Sequence, residues 1–473
     1  MEVMKPRVNL VCTECGYVFL SDSGKNRCEK CGGILEYIWD EEYLKTVKFT
    51  GELKFWRYKP ILPSVKKPVS LGEGGTPLQE AQRLAEALSL KQLALKDETR
   101  NPTNSFKDRS AALIVSDALG KGFSSLVCAT NGNHGASVAA YSAKANIACH
   151  LIVPKALDIG KLAQMMVYNA EIVESGEMIE ESISRAITLE EEMGWYQATT
   201  ELNPLSIEGL KTIAYEIVEQ KGEPDWMFVA MGSGVTISSL WKGFKELETM
   251  ERIRKLPRLV GIQAKGCSPI VSAFDTGEDA PKPIEHGETE ATAIRVSRPI
   301  FGELALKALR ESKGFAVTVS DEDMLAAGRE IARLEGIFAE PASAATVASL
   351  SNLVNAGKID RSDRVICLIT SSGLKTDDIL QSLTKRKRSQ GLGSMLTTKE
   401  KILRHISSGE TYGYEIWKTV GKGMTIGAVY QHIADLDERG LISSSLRGKR
   451  RYYEITDRGR RTLSALDDLQ VLL

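Results

Sequence analysis

From Leu71 to about Ser382 the sequence repeats one unit: a short apolar, β-rich run, a turn, then a stretch with helical spacing of apolar residues. The clearest runs are Ser125-Leu-Val-Cys-Ala129, Ala148-Cys-His-Leu-Ile-Val153, Trp226-Met-Phe-Val-Ala230, Leu259-Val-Gly-Ile-Gln263 and Val365-Ile-Cys-Leu-Ile369. Strands that alternate with helices in this way build an α/β domain on a mainly parallel sheet.

At 473 residues the chain is too long for one ordinary core, and a soft prior gives about three domains. With 42% hydrophobic and 26% charged residues, no biased repeat and no bilayer-length apolar stretch, it reads as a globular protein with no membrane partner. The start, Met1-Glu-Val-Met-Lys-Pro-Arg7, has no apolar signal-peptide core, so a cytoplasmic location is expected. The net charge of −1 hides an asymmetry: residues 385–473 carry 17 Lys+Arg against 10 Asp+Glu, a net +7, which leaves −8 for the rest. The expected organisation is a metal ribbon over 8–38, a connecting arm over 39–70, a catalytic domain over 71–382, a linker over 383–396 and a basic domain over 397–473. The linker is read from its charged, Gly- and Ser-bearing, non-periodic composition.

Four of the eight cysteines form two pairs, Cys12-Thr-Glu-Cys15-Gly and Cys28-Glu-Lys-Cys31-Gly. A two-residue spacer lets both thiolates of a knuckle reach one ion, and the glycine after each pair permits the tight turn. Two knuckles give a closed tetrahedral site, so a structural Zn2+ is expected; rubredoxin-like iron and two disulfides are the alternatives. Cys128, Cys149, Cys267 and Cys367 stand alone in apolar runs and read as core.

Lys107 lies in Asn101-Pro-Thr-Asn-Ser-Phe-Lys-Asp-Arg-Ser110, just before a helical run. By position alone it would be a solvated lysine beside Asp108 and Arg109 at a helix start. Three turns elsewhere change that reading. Thr130-Asn131-Gly-Asn133-His134-Gly-Ala-Ser137 follows a strand and opens a helix, so its backbone N–H groups can meet a carboxylate. Gly232-Ser233-Gly234-Val235-Thr236 does the same after Trp226–Met231 and suits a phosphate dianion. Thr370-Ser-Ser-Gly373 ends a strand with three hydroxyls.

Taken in order, these runs resemble the threonine synthases, enzymes of the pyridoxal 5′-phosphate (PLP) fold type II group, whose two-lobed core is like that of the tryptophan synthase β chain. The resemblance spans residues 8 to about 382. It also rests on Leu71-Gly-Glu-Gly-Gly-Thr-Pro-Leu78, Asn203-Pro204 with Glu208-Gly-Leu-Lys-Thr212, Ala293-Ile-Arg295, Glu335-Gly-Ile-Phe-Ala-Glu-Pro-Ala-Ser-Ala344 and Gly373-Leu-Lys375. It implies that Lys107 is the catalytic Schiff-base lysine, that Asn133 contacts the pyridoxal 3′-oxygen, that Gly232, Ser233, Gly234, Val235 and Thr236 cradle the phosphate, and that Thr370 faces the ring nitrogen. It implies a lyase of threonine biosynthesis that turns O-phosphohomoserine and water into threonine and phosphate; a homodimer is expected as well. For the substrate it points to Asn131, His134, Ser137, Thr200 and Ser206.

Departures from the family pattern cluster around that substrate. Asn104 stands where Gly is common, and Asn131-Gly-Asn-His134 where Ser-Gly-Asn-Thr is common. Ser206 takes the place of an Arg that binds the substrate phosphate, and Thr200-Glu201 that of Asn-Ser. The phosphate contact would then come from Lys161, Lys211 or Arg295. Alternatively the substrate has changed, to O-phosphoserine with β-replacement as in cysteate synthases, or to serine or threonine undergoing dehydration. An alternative of another class is a transcriptional regulator whose PLP domain senses an amino acid.

The basic domain shows helical runs beginning at Thr398, Tyr412 and Thr425, then a hairpin tipped by Arg447 to Arg451. Three helices and a basic wing make a winged helix-turn-helix, and Tyr412-Gly-Tyr-Glu-Ile416, Val429-Tyr-Gln-His-Ile433 and Arg451-Tyr-Tyr-Glu-Ile-Thr456 resemble PadR-type regulators. DNA is therefore an expected partner, with Thr425, Tyr430 and Gln431 reading bases and Arg447, Lys449 and Arg450 touching phosphate. A dimerisation or docking module is the competing expectation.

Overall fold

A computed structural model describes residues 8–155, 157–285, 287–376, 395–409, 411–420, 425–448 and 450–471. The chain divides into two compact units, residues 1–379 and 380–473.

The first unit opens with a three-stranded antiparallel sheet, β1 (Val8–Cys12), β2 (Val18–Leu20) and β3 (Leu35–Trp39), in the order β2-β1-β3. In β3, Leu35, Tyr37 and Trp39 are buried while Glu36 and Ile38 are not, the period-2 alternation of a strand covered on one face. That face packs on the body of the unit, where the Trp39 indole donates to Glu208 at 3.3 Å. The segment expected as an arm is part of the core. Asp40 caps the helix Glu41–Thr46 by accepting from the Tyr43 N–H, and Phe55, Tyr58 and Ile61 of a 3-10 turn are fully buried.

Ten further strands follow: β4 (Leu78–Glu80), β5 (Gln92–Asp97), β6 (Ser125–Ala129), β7 (Ala148–Val153), β8 (Glu171–Glu174), β9 (Tyr196–Gln197), β10 (Trp226–Ala230), β11 (Arg258–Ala264), β12 (Phe315–Val319) and β13 (Arg364–Ile369). They form two lobes. The larger sheet has the order β12-β11-β10-β13-β5-β4, parallel except for the β4–β5 pair, and the smaller has the parallel order β8-β7-β6-β9. All five apolar runs of the sequence are strands of these sheets. β10 is buried at every residue because helices cover both faces of the larger sheet, and that burial demands an unbroken apolar run. β4, β5, β8, β9 and β12 are shorter, more polar or at edges, and periodicity alone does not mark them.

In the second unit the helices Met395–Ser407, Gly413–Val420 and Ile426–Glu438 match the three expected helical runs. The hairpin is present as β15 (Ile442–Arg447) and β16 (Arg450–Ile455), joined by a short β14 (Thr411–Tyr412) on the other side of β16. Ile402, Ile406, Ile416, Val429, Ile433, Ile442 and Tyr453 form its core. Beyond the hairpin, where the expected winged helix ends, the chain goes on into a further helix, Asp457–Val471, whose Leu463 joins that core. That helix is rich in Arg and Asp and gives only a weak apolar period. Of the expected linker, residues 383–394 lie outside the described residues. No described helix is long and apolar enough to cross a membrane.

Candidate active site

In parallel sheets the loops after the strands' carboxyl ends gather at one edge. Here those loops come from both lobes and line one cavity. Its walls hold Lys107, Asn131, Asn133, His134, Glu201, Gly232 to Thr236, Glu340 and Thr370, with Phe106, Ala293, Ile294 and Val296 as apolar neighbours.

Lys107 is the first residue of the helix Lys107–Gly120, and β5 and the loop from Asn101 to Phe106 lead into it. The loop is tied to the end of β13 by the Phe106 N–H donating to Thr370 O at 2.9 Å and by a Ser371–Ser105 hydroxyl bond of 2.8 Å. Asn104 has φ +59°, which accounts for a preference for glycine there and for asparagine as its substitute. Burial pushes the Lys107 ammonium below the usual lysine range, with the Glu201 carboxylate opposing. Its one hydrogen bond is a long one, 3.5 Å to Thr200 Oγ1.

Two residues on, Arg109 anchors the helix from inside. Its guanidinium holds Glu98 at 2.7 Å and Glu216 at 2.6 Å, and Lys96 adds a 2.8 Å bond to Glu216, all four side chains being without solvent exposure. Two cations and two anions cancel, so each buried charge has a partner. This network joins β5, the Lys107 helix and the helix Leu205–Lys221. Asp108 faces the loop instead, accepting from Thr103 N–H and Oγ1, and burial raises its carboxyl to about 6.

Asn133 and His134 begin the helix Asn133–Ala145. The Asn133 amide donates to both Glu340 oxygens at 3.0 and 3.1 Å, while its Oδ1 is buried with no partner. His134 Nε2 lies 2.8 Å from Ala198 O, a carbonyl that can only accept, so Nε2 carries a proton. Burial, with Lys107 nearby, pushes that imidazole down to about 3. The loop Gly232–Gly234 leads into the helix Val235–Thr249, and no backbone N–H from Ser233 to Thr236 has an acceptor among the described residues. Gly234 has φ +94°, and a Cβ there would stand 2.7 Å from Phe301 O. Thr370 Oγ1 shares a 2.7 Å bond with Ser343, a hydroxyl that the Ser371 N–H also reaches at 2.9 Å.

Ser137 sits behind the wall, bonded to Thr103 Oγ1 at 2.9 Å and to Asn133 O at 3.1 Å. Ser206 is buried with its hydroxyl unpartnered and does not line the cavity. Of the three cations considered for a substrate phosphate, Lys211 is buried against Glu208 and Glu246, and Lys161 against Asp158 and Thr292. Arg295 is half-buried and lines a small cavity that shares Asn131 with the main one, its guanidinium unpaired among the described residues. Glu340 and Ser343 escaped the sequence reading as site residues, although both fall in the quoted run Glu335–Ala344.

Residues 69–371 match the family described as pyridoxal-phosphate dependent enzyme. The threonine synthase of Methanosarcina acetivorans is 40% identical over 373 residues, covering 78% of this chain and 92% of that protein. That of Methanocaldococcus jannaschii is 41% identical over 377 residues, covering 78% and 93%. The chain belongs to the threonine synthase family of pyridoxal-phosphate dependent enzymes. Its fold, PLP fold type II, recurs in the processed threonine deaminase isoform 2 of Solanum lycopersicum, with TM-score 0.57 at 19% identity over 66% of this chain and 82% of that one. Maize serine racemase gives TM-score 0.57 at 20% identity over 67% and 93%. Residues 402–465 match the transcriptional regulator PadR-like family.

The residues of this threonine synthase family member fit the cofactor. A bare row of N–H groups at a helix start suits a phosphate, an orphaned buried Asn133 Oδ1 awaits a polar partner, and the Lys107 amine is free to bond a carbonyl carbon. In the ribbon the four sulfurs of Cys12, Cys15, Cys28 and Cys31 all lie within 4.8 Å of one another, and no cysteine is in a disulfide. The closest pairs are 3.4 and 3.6 Å apart, near the ~3.8 Å edge of a tetrahedron with 2.3 Å zinc–sulfur bonds. Gly16 and Gly32, with φ of +69° and +75°, close the two knuckles.

In the second unit Thr425 caps the helix Ile426–Glu438 by accepting from the Ala428 N–H at 3.3 Å. Tyr430, Gln431, Arg447 and Arg450 are exposed on that helix and the hairpin; Lys449 lies outside the described residues.

Proposed function

We propose that the chain converts O-phosphohomoserine and water to threonine and phosphate, with Lys107 as the cofactor-bonding lysine. The observation that carries this reading is the convergence of Lys107, Asn133, the Gly232–Thr236 loop and Thr370 on one cavity of a threonine synthase family member. PLP, when bound, supplies an electron sink for the carbanion formed at the substrate. The chain's own residues then have definable tasks. The N–H groups of Ser233 to Thr236 and the positive end of the helix they open hold the cofactor phosphate. Asn133 orients the ring edge, and Thr370 offers its hydroxyl to the ring nitrogen, steadied by Ser343. A neutral hydroxyl there, unlike a carboxylate, leaves that nitrogen less protonated and moderates the sink.

Lys107, its amine kept basic but easily deprotonated by burial, moves protons between the substrate carbons. Asn131 and the neutral His134 bind the amino-acid end. Thr200, whose hydroxyl meets Lys107 Nζ, borders the substrate side chain. Arg295, beside Asn131 and unpaired, is the guanidinium available to the substrate phosphate.

Two other parts complete the reading. The four thiolates hold a structural Zn2+, and the PadR-like domain binds DNA through Thr425, Tyr430, Gln431, Arg447 and Arg450, in a homodimer located in the cytoplasm. The deciding test is phosphate release from O-phosphohomoserine by the holoenzyme, run beside O-phosphoserine plus sulfite and beside threonine. Activity with O-phosphohomoserine is expected, and activity only with either of the others would replace the substrate. Lys107→Ala should abolish the visible absorbance of the lysine-bound cofactor; a band that persists would remove Lys107 from its role.

A further inference from the structure

Among the acidic side chains around the active site, one is out of character. Glu98, Glu216, Glu208 and Asp158 are each gripped by a lysine or arginine, Asp108 by the Thr103 hydroxyl and N–H, and Glu340 by Asn133. Glu201 is half-buried in the cavity wall with Lys107 and His134, and its carboxylate makes no hydrogen bond among the described residues, although it feels the charges of Lys107 and Arg27. A carboxylate that no donor holds, in the wall of a reaction cavity beside Lys107, is open to a water or a substrate group that enters the cavity. Its backbone is nonetheless held. Arg27, the residue before Cys28 in the second knuckle, donates from Nη2 to Glu201 O at 3.1 Å, and Thr200 beside it meets Lys107 Nζ. The ribbon therefore forms an outer support of the active site.

We propose that Glu201 is a second proton-transfer residue of the cavity, which activates the water that adds to the substrate, and that Arg27 of the ribbon positions it. This rests on the reaction proposed above and deepens it. Phosphate leaves Cγ as a proton leaves Cβ, and once a proton has been delivered to Cγ to make the methyl group the double bond lies between Cα and Cβ, so water must add at Cβ. As the water oxygen bonds to Cβ, one water proton passes to the Glu201 carboxylate. The electron pair of the double bond ends as a C–H bond at Cα when the Lys107 ammonium returns the proton it took earlier, and Glu201 then gives its proton to solvent. Lysine alone would have to be base toward water and acid toward carbon in the same addition, whereas two groups divide the tasks.

The test is product analysis of the holoenzyme turning over O-phosphohomoserine, with phosphate, threonine and the four-carbon 2-oxo acid measured together. Glu201→Gln should keep phosphate release while threonine formation falls by about 10²–10⁴-fold, the range for loss of one general base. The unsaturated product should then escape and hydrolyse to the 2-oxo acid and ammonia. Arg27→Ala should shift the ratio the same way but less, and Arg27→Lys should restore part of it; a purely structural arginine would lower both products together. An unchanged threonine to 2-oxo-acid ratio in Glu201→Gln, or in Arg27→Ala if the first variant does not hold cofactor, overturns the inference while the reaction stands. Absence of phosphate release by the wild-type holoenzyme overturns the reaction itself.

Discussion

Replacing Arg109 with leucine tests what fixes Lys107 in place. Arg109 makes six hydrogen bonds at zero exposure: two to Glu98, two to Glu216, and one each to Thr212 and Thr76. Arg109→Leu leaves Glu216 with Lys96, but strands Glu98 with only Asn101 and Thr76 as neutral donors. Removing one partner of a buried ion network costs about 3–5 kcal/mol, because the remaining charge stays desolvated. At about 2–4 °C per kcal/mol for a large domain, the first unit should melt roughly 6–20 °C lower. Equilibrium urea unfolding followed by tryptophan fluorescence gives the free energy directly. Adding Glu98→Gln should recover part of the loss, since the stranded charge is then gone, and a double-mutant cycle reads the coupling. A single variant within about 1 kcal/mol of wild type, or a double variant no better than the single, would show that the network is not what holds the Lys107 helix.

Further outcomes follow from other parts of the molecule. His134 is held near 3 in the fold but titrates near 6.5 when unfolded, so the unfolded chain binds the extra proton and stability falls as pH drops from about 6.5 toward 3. His134→Gln should flatten that part of the stability–pH curve, and an unchanged slope would mean the ring is protonated in the native state. Protein purified without added zinc should contain one equivalent of metal, lost in Cys28→Ser; metal-free wild type would disprove the zinc site. Arg450→Ala should reduce the slope of log DNA affinity against log salt by about 1, and a slope that does not move would place Arg450 away from phosphate.

The α/β layout was readable because β6, β7, β10, β11 and β13 are covered on both faces and so cannot avoid long apolar runs. The four cysteines were readable because coordination chemistry dictates their spacing. The turn Gly232–Gly234 was readable because glycines between an apolar run and a helical pattern mark a tight strand-to-helix turn. Other features carried no such local mark. Glu201 and Arg27 are 174 positions apart and become neighbours only when the ribbon folds against the smaller lobe. Asp108 and Arg109 beside Lys107 have the composition of a solvated helix start, yet both are fully buried. The arm between ribbon and catalytic domain looked like a tether, but its Phe55 and Tyr58 lie in the core.

By itself the sequence determined the things that local chemistry dictates: a parallel α/β core, a four-sulfur site, a lysine at a helix start and a basic module at the carboxyl end. Tertiary structure decided which charges face one another. A charged side chain is stable inside only if its partner arrives from another element, and that pairing depends on distance in space. Hence the same residue types serve as a sealed network around Arg109 and, at Glu201, as a carboxylate in the cavity wall that no hydrogen-bond donor holds.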